Sequence, residues 1–249
     1  MIVRGLSRDT REYVQTGSSN DEMHRLLENG DLEEGTVVRA DYQSAGKGHN
    51  GNTWSSEPGK NMLFSILLKP DFLPLKSAFQ VSRIVSLSLV NMIDKQGIRA
   101  KIKWPNDILV DSRKISGILI ENSIINGRIS HAVMGVGLNV NQEIFNDKIP
   151  DPTSMALEKG CHFDMKLLLD DFRTALEGWY QALQSGEIEK IEHAYLDRLY
   201  LLGKYSYYSD ANGKFAASIK RVLPEGELEL VLKNGEIRRY GFKEVEFRK

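Results

Sequence analysis

The sequence predicts an α+β fold that carries a small all-β module at its carboxyl end. Three observations lead there. Strand-like and helical patterns are mixed through the first part of the chain, two long helical patterns close that part, and the texture changes after Gly203. From there short alternating runs are separated by NG, PEG and NG turns, the pattern of a small β-barrel or SH3-like module. We place a boundary near residue 202, which divides the chain into segments 1–202 and 203–249. A length of 249 residues suits one large domain with a small appendage.

The elements follow in order. "GSSNDEMHRLLENG" sets Ser and Asn ahead of Met23, Leu26 and Leu27 and ends on Gly30, which predicts a short capped helix. "TVVRADYQ" is β-branched and aromatic, hence a strand, and "NMLFSILL" is a buried strand by its apolar run. "LKSAFQVSRIVSLSLVNMIDKQG" has helical spacing and closes on Gly97. "AKIKWPNDILVDSRKISGILIENS" reads as strand, proline turn, strand. "IINGRI" carries the Asn-Gly signal of a two-residue hairpin and joins that strand to "RISHAVMGVGLNVN". A polar loop covers about 146–154, followed by the helices "DMKLLLDDFRTALEGWYQALQ" and "EIEKIEHAYLDRLYLLG".

Composition narrows the function classes. Hydrophobic residues make up 41% and charged residues 27%, an ordinary globular balance. The formal net charge is −1, without the basic excess of a general nucleic-acid binder. The lone Cys161 permits no disulfide within the chain and fits a reducing compartment. "MIVRGLSRDTREY" is too polar for a signal peptide, and the apolar run near "IVSLSLVNMI" is far short of a membrane span. These features predict a soluble cytoplasmic protein.

Gly46-x-Gly48-x-x-Gly51 matches the dinucleotide fingerprint, but the context does not. A dinucleotide fold needs the third glycine to open a helix that holds the pyrophosphate. Here Gly51 leads into "NTWSSEPGKN", where Pro58-Gly59 forbids a useful helix. No Walker loop is present, and Ser44-x-x-Lys47 lies in a loop rather than at a helix start. Glycines that admit backbone N–H groups to an anion, with Lys47 adding charge, are one reading of the loop. A plain hairpin loop is the other. "KWPND" (103–107), Lys114 beside Gly117, and "GVGLNVN" (135–141) each have an ordinary structural reading when taken singly. His24, His131, His162, His193 and Cys161 show no metal-ligand spacing, so no residue is assigned to a metal.

Taken together, "SSN" (18–20), "QSAGKGHNGNTW" (43–54), "KWPND", "RKISGILIE" (113–121) and "GVGLNVN" resemble, in order and spacing, the biotin protein ligases. The resemblance covers residues 14–141 strongly and the β-rich tail more loosely. It implies a mixed sheet with helices on one side, as in the core of class II aminoacyl-tRNA synthetases, plus an SH3-like domain. It implies an enzyme that joins biotin to a lysine of a biotin carboxyl carrier protein or domain, using ATP with Mg2+ and passing through biotinoyl-5'-AMP. The alternatives are a lipoate–protein ligase of the same fold and a non-catalytic binder of biotin or nucleotide.

The resemblance also implies site residues. Lys114 is the expected catalytic cation, meeting both carboxylate and phosphate. Ser18, Ser19, Asn20 and Gln43 match positions around the ureido ring of biotin, with Gly46, Lys47, Gly48, His49 and Gly117 also on the biotin side. Lys47, His49, Trp54, Asn106, Asp107, Asn139 and, near the end of the chain, Arg248 match the nucleotide side. The family's loop usually carries several arginines, and here Lys47, His49, Asn50 and Asn52 stand instead, so tight retention of the adenylate is not expected. Some members add an N-terminal helix-turn-helix for transcriptional repression. This chain starts close to the catalytic core and is expected to lack one, and no nucleic-acid or membrane partner is expected. The oligomeric state is not readable from the sequence.

Overall fold

The computed structural model describes residues 5–48, 51–146 and 151–248. Seven strands form one mixed sheet: β1 (Thr10–Thr16), β2 (Val37–Gln43), β3 (Met62–Leu68), β4 (Ala100–Lys103), β5 (Asp107–Val110), β6 (Arg113–Ile125) and β7 (Arg128–Leu138). Their order is β1-β2-β3-β7-β6-β5-β4. β1 runs parallel to β2, and every other neighbouring pair is antiparallel. The Asn-Gly turn joins β6 to β7 as expected, with Asn126 and Gly127 both at positive φ. β1 was not expected: it is polar and mostly exposed, and it exists because its backbone pairs with β2 along one edge.

The helices are α1 (Ser19–Glu28), α2 (Phe79–Lys95), α3 (Met155–Lys159), α4 (Met165–Gln184) and α5 (Ile188–Asp197). Strand β3 shows how they sort. Met62, Phe64, Ile66 and Leu68 point into the large core under α2 and α4, where Phe64 meets Phe172 edge-on at 5.1 Å. Leu67 points to the opposite face and joins Met23, Val38 and Val133 in a second, smaller core. So α2, α4 and α5 lie on one side, as expected, while the short α1 lies on the other, over β2, β3 and β7. That placement sets the start of α1 against the open part of the sheet. Asp164 caps α4 by accepting from the N–H groups of Lys166 and Leu167. No helix among the described residues is long and apolar enough to cross a membrane.

The tail forms a separate antiparallel sheet of β8 (Tyr205–Asp210), β9 (Gly213–Val222), β10 (Leu228–Leu232), β11 (Ile237–Tyr240) and β12 (Glu246–Arg248). Its order is β11-β10-β9-β8-β12, the SH3-like module anticipated from the turn signals. Inside it, Glu229 is buried against Lys220, Arg221 and Arg239. Burial pushes its carboxyl up, but hydrogen bonds from these three cations outweigh that and hold it below the usual range.

The two sheets share one hydrophobic core. Phe242 packs on Phe79 and Trp104, and the Trp104 indole donates to the Gly226 carbonyl at 2.8 Å. Arg83, on α2, is buried at this seam. Its guanidinium meets Glu192 at 2.5 Å and donates to the carbonyls of Val222 and Leu223 at 2.9 and 3.1 Å. Replacing Arg83 by Ala leaves these acceptors without their donor. Urea unfolding of Arg83→Ala is expected to lose about 3 kcal/mol, the low end for a broken buried pair because Glu192 is partly solvated. A loss under about 1 kcal/mol, the worth of a surface ion pair, would show that this clamp does not hold the seam.

Candidate active site

A cleft of about 710 Å³ opens on the α1 side of the large sheet. Its floor is backbone. Gly117 on β6 and Gly135 and Gly137 on β7 present no side chain to it. A Cβ on Gly137 would stand 2.4 Å from the Trp54 indole, and one on Gly117 would stand 3.1 Å from it. A Cβ on Gly135 would stand 2.4 Å from Asn20 Oδ1. None of the three has a positive φ, so these glycines serve close approach rather than an unusual backbone. Trp54 lies directly on the sheet as a result.

The glycine loop is a small hairpin. Lys47 pairs with Thr53, the Gly48 N–H donates to the Asn52 carbonyl at 2.7 Å, and the Trp54 N–H donates to the Gly46 carbonyl at 2.9 Å. Gly51 sits at its turn with φ 78°, not at a helix start. Lys47 is ion-paired to Asp21 in the first turn of α1, and this hydrogen bond raises its pKa against the opposing effect of burial. The cation expected to meet an anion therefore already has a carboxylate partner. His49 lies outside the described residues.

Lys114 owes its direction to a bulge. Lys114 and Gly117 are three residues apart, which in a regular strand puts them on opposite faces. Opposite β5, Ser116 pairs with Ile108 and Lys114 with Leu109, so Ile115 is extra. Beyond this irregularity the Lys114 ammonium lies 3.4 Å from where a Gly117 Cβ would stand. It pairs with Asp107 at 2.6 Å and stands 5.7 Å from the Trp54 ring centroid. Backbone bonds from Lys114 N–H to Asp151 and from Thr153 N–H to Lys114 anchor its strand.

The KWPND turn holds the neighbouring wall. The Asn106 amide donates to the Ile118 carbonyl, and the Ile118 N–H donates back to the Asn106 carbonyl, both at 2.9 Å. Lys103 points its ammonium at the Phe247 ring from 5.3 Å.

At the α1 end the cleft is neutral and polar. The Ser19 N–H donates to Gln43 Oε1 at 2.6 Å, and Ser65 Oγ lies 2.7 Å from Ser19 Oγ and 2.6 Å from Asn20 Oδ1. Ser18 stands at the N-cap of α1 with no capping bond from its side chain, and it faces the cleft. Gly135, beneath Asn20, and Gly137, beneath Trp54, are two residues apart on β7, roughly 7 Å. The cleft thus offers a neutral hydrogen-bonding end and a cationic, aromatic end within one small molecule's length.

The cleft brings together Ser18, Ser19, Asn20, Gln43, Lys47 and Gly48 with Trp54, Asn106, Asp107, Lys114 and Gly117. Gly46 lies behind them, where a Cβ would meet the Trp54 carbonyl at 2.6 Å. Two further expected residues are not on its wall. The buried Asn139 amide donates to the Thr153 carbonyl at 2.9 Å. Arg248 pairs with Glu246 at 2.5 Å and with Ser209 at 2.7 Å, while Glu246 and Phe247 of the same strand do reach the cleft. Lys103 and the C-terminal residues Lys243, Val245, Glu246 and Phe247 were not singled out from sequence. Lys103 carries a signal in its motif. The C-terminal residues carry none, because the other sheet supplies them.

A family model described as the Biotin/lipoate A/B protein ligase family matches residues 13–139. The bifunctional ligase/repressor BirA of Bacillus subtilis is 30% identical over 227 residues, covering 90% of this chain and 70% of that protein. The biotin--[acetyl-CoA-carboxylase] ligase of Paracoccus denitrificans is 29% identical over 198 residues, 77% of this chain and 81% of that protein. A solved biotin protein ligase from Aquifex aeolicus, in complex with biotin and ATP, shares the fold with a TM-score of 0.82 at 22% identity, covering 98% of this chain and all of that one. The chain belongs to the biotin/lipoate A/B protein ligase family, and it is a ligase.

The glycine floor yields a direct test. Gly137→Ala forces the new methyl against Trp54 and is expected to cost roughly 1–3 kcal/mol by overpacking. In a Trp54→Ala background the same substitution is expected to be nearly neutral, and unfolding of the four chains of this cycle measures the coupling. Equal cost in both backgrounds would show that Gly137 is needed for some other reason.

Proposed function

We propose that this ligase attaches biotin to a lysine of a biotin carboxyl carrier protein or domain in two steps. A biotin carboxylate oxygen attacks the α-phosphorus of ATP, and pyrophosphate leaves, giving biotinoyl-5'-AMP. The carrier lysine, as a neutral amine, then attacks the acyl carbon. An amide forms, AMP leaves with the bonding electrons, and the amine gives up a proton.

The observation that carries this reading is the polarity of the cleft. Ser19, Asn20, Gln43 and Ser65 form a hydrogen-bonded cluster at one end, suited to a compact polar ring. Burying the dithiolane ring of lipoate there would leave the hydrogen-bonding capacity that the cluster does not use internally without a partner, at about 1–3 kcal/mol for each group. At the other end Lys114 meets the growing negative charge at phosphorus and acyl oxygen, and its bond to Asp107 aims it. Trp54 supplies a flat surface beside Lys114 for the adenylate, and Lys103 a second cation. Lys47, held by Asp21, lines the same cleft from the hairpin loop. Asn106 fixes the KWPND turn, while Asn139 and Arg248 support the walls from behind.

Mg2+ would arrive with the nucleotide. It typically keeps several waters and takes one or two protein carboxylates beside substrate phosphates, and Asp107 and Glu246 face the cleft. Among the described residues no cluster of three or more His, Cys, Asp or Glu offers a dedicated cage. The exposed thiol of Cys161 suits a reducing cytoplasm.

Removing the cation separates this reading from simple ligand binding. Lys114→Ala is expected to lower the rate of biotin-dependent pyrophosphate release by roughly 10²–10³, the usual loss for one well-placed donor, with the fold intact. Pyrophosphate release near the wild-type rate would remove Lys114 from the chemistry.

A further inference from the structure

We infer that Glu121 is a positioning residue that sets the hydrogen-bond polarity of the cleft's neutral end and so decides which ring it accepts. This rests on the reading of the cleft as a biotin site. Glu121 lies on β6, two residues beyond Leu119 and behind Asn20, and is not on the cleft wall.

Protein partners that can play only one role fix the polarity. The Asn20 amide nitrogen donates to Glu121 Oε2 at 2.7 Å and to the Leu119 carbonyl at 3.4 Å. Both partners only accept, so this side of the amide must be the NH2 group and Oδ1 must be the atom on the other side. Oδ1 receives the Ser65 hydroxyl hydrogen, which leaves Asn20 one lone pair. Since Ser65 spends its hydrogen there, its contact with Ser19 is donated by Ser19, whose own oxygen remains an acceptor. On the other wall the Ser19 backbone N–H only donates, so it fixes Oε1 of Gln43. The Gln43 NH2 group is then the donor end of this cleft-lining side chain, and no hydrogen bond from it is made among the described residues.

The end of the cleft therefore shows two acceptors, Ser19 Oγ and Asn20 Oδ1, and one donor, Gln43 Nε2. A cyclic urea presents the complement: two N–H donors and one carbonyl. Glu121 anchors the chain of bonds from outside. His24, one turn after Asn20 on α1, reaches the same Glu121 oxygen at 3.3 Å and holds it against the helix. Without that carboxylate the NH2 side of Asn20 keeps only the long bond to Leu119, and the Ser65 hydroxyl on the other side can accept as well as donate, so the amide is able to turn, which reverses its polarity.

The test uses the full chain and begins with wild-type biotin affinity and KM. Glu121→Ala is expected to raise the biotin KM and Kd on the order of tenfold, about 1.4 kcal/mol, while the ATP KM stays within about twofold. Binding of octanoate, which lacks the ureido ring, is expected not to change. Glu121→Gln, which can still accept from Asn20, is expected to recover most of the affinity. A general loss of structure would instead lower the melting temperature and move biotin, ATP and octanoate together, and that result overturns the inference. So does unchanged biotin affinity in Glu121→Ala, or a Glu121→Gln variant as weak as the alanine one. If the wild type itself does not bind biotin, the reading of the site fails and this inference with it.

Discussion

The site depends on how closely side chains and ligand can approach two adjacent strands. Gly117, Gly135 and Gly137 leave the centre of β6 and β7 bare on one face, and Asn20 and Trp54 lie within the space a methyl group would fill. A β-sheet normally stands its side chains off from its backbone, so this face becomes a floor only because it lacks them. Every other device works relative to that floor. The bulge at Ile115 returns Lys114 to it, the hairpin from Gly46 to Trp54 lays an indole on it, and the start of α1 meets it with polar groups.

The second sheet is part of the same construction. Trp104, buried beside Lys103 in the KWPND turn, bonds to the Gly226 turn of the C-terminal module, and Arg83 ties α2 to the carbonyls of β9 and the turn that follows. This joint lets β12 lend Glu246 and Phe247 to the cleft. The shared core means that the module's position is set by packing rather than by the short link at Gly203. Charge follows the same arrangement. Lys114, Lys47 and Lys103, three cations of the cleft, meet Asp107, Asp21 and the Phe247 ring respectively.

Much of this was legible in the sequence. Apolar runs gave β3, α2 and α4. Asn126-Gly127 gave the β6–β7 hairpin. Pro58-Gly59 ruled out a dinucleotide helix, and Gly51 indeed sits in a hairpin turn. What escaped has physical causes. β1 is a polar edge strand held by backbone bonds, so no alternation announces it. A strict two-residue period sends Lys114 away from Gly117, and a bulge leaves no mark in composition. Lys47 looked free for an anion because Asp21, its partner, lies 26 positions earlier in sequence. Asn139 and Arg248 match family positions, yet backbone and side-chain partners hold both off the wall. The polarity of the Asn20 and Gln43 amides depends on contacts across strands, which only the folded chain displays.

The central claim is that one cleft binds biotin by its neutral end and activates the carboxylate with ATP at its cationic end. Exchange of labelled pyrophosphate into ATP tests it most directly, because it reports the first step alone and needs no carrier. With purified chain and magnesium, the account predicts exchange that depends on biotin and is at least about tenfold weaker with lipoate, as the loss of one or two buried hydrogen bonds requires. No exchange with biotin, or equal exchange with lipoate, would contradict it.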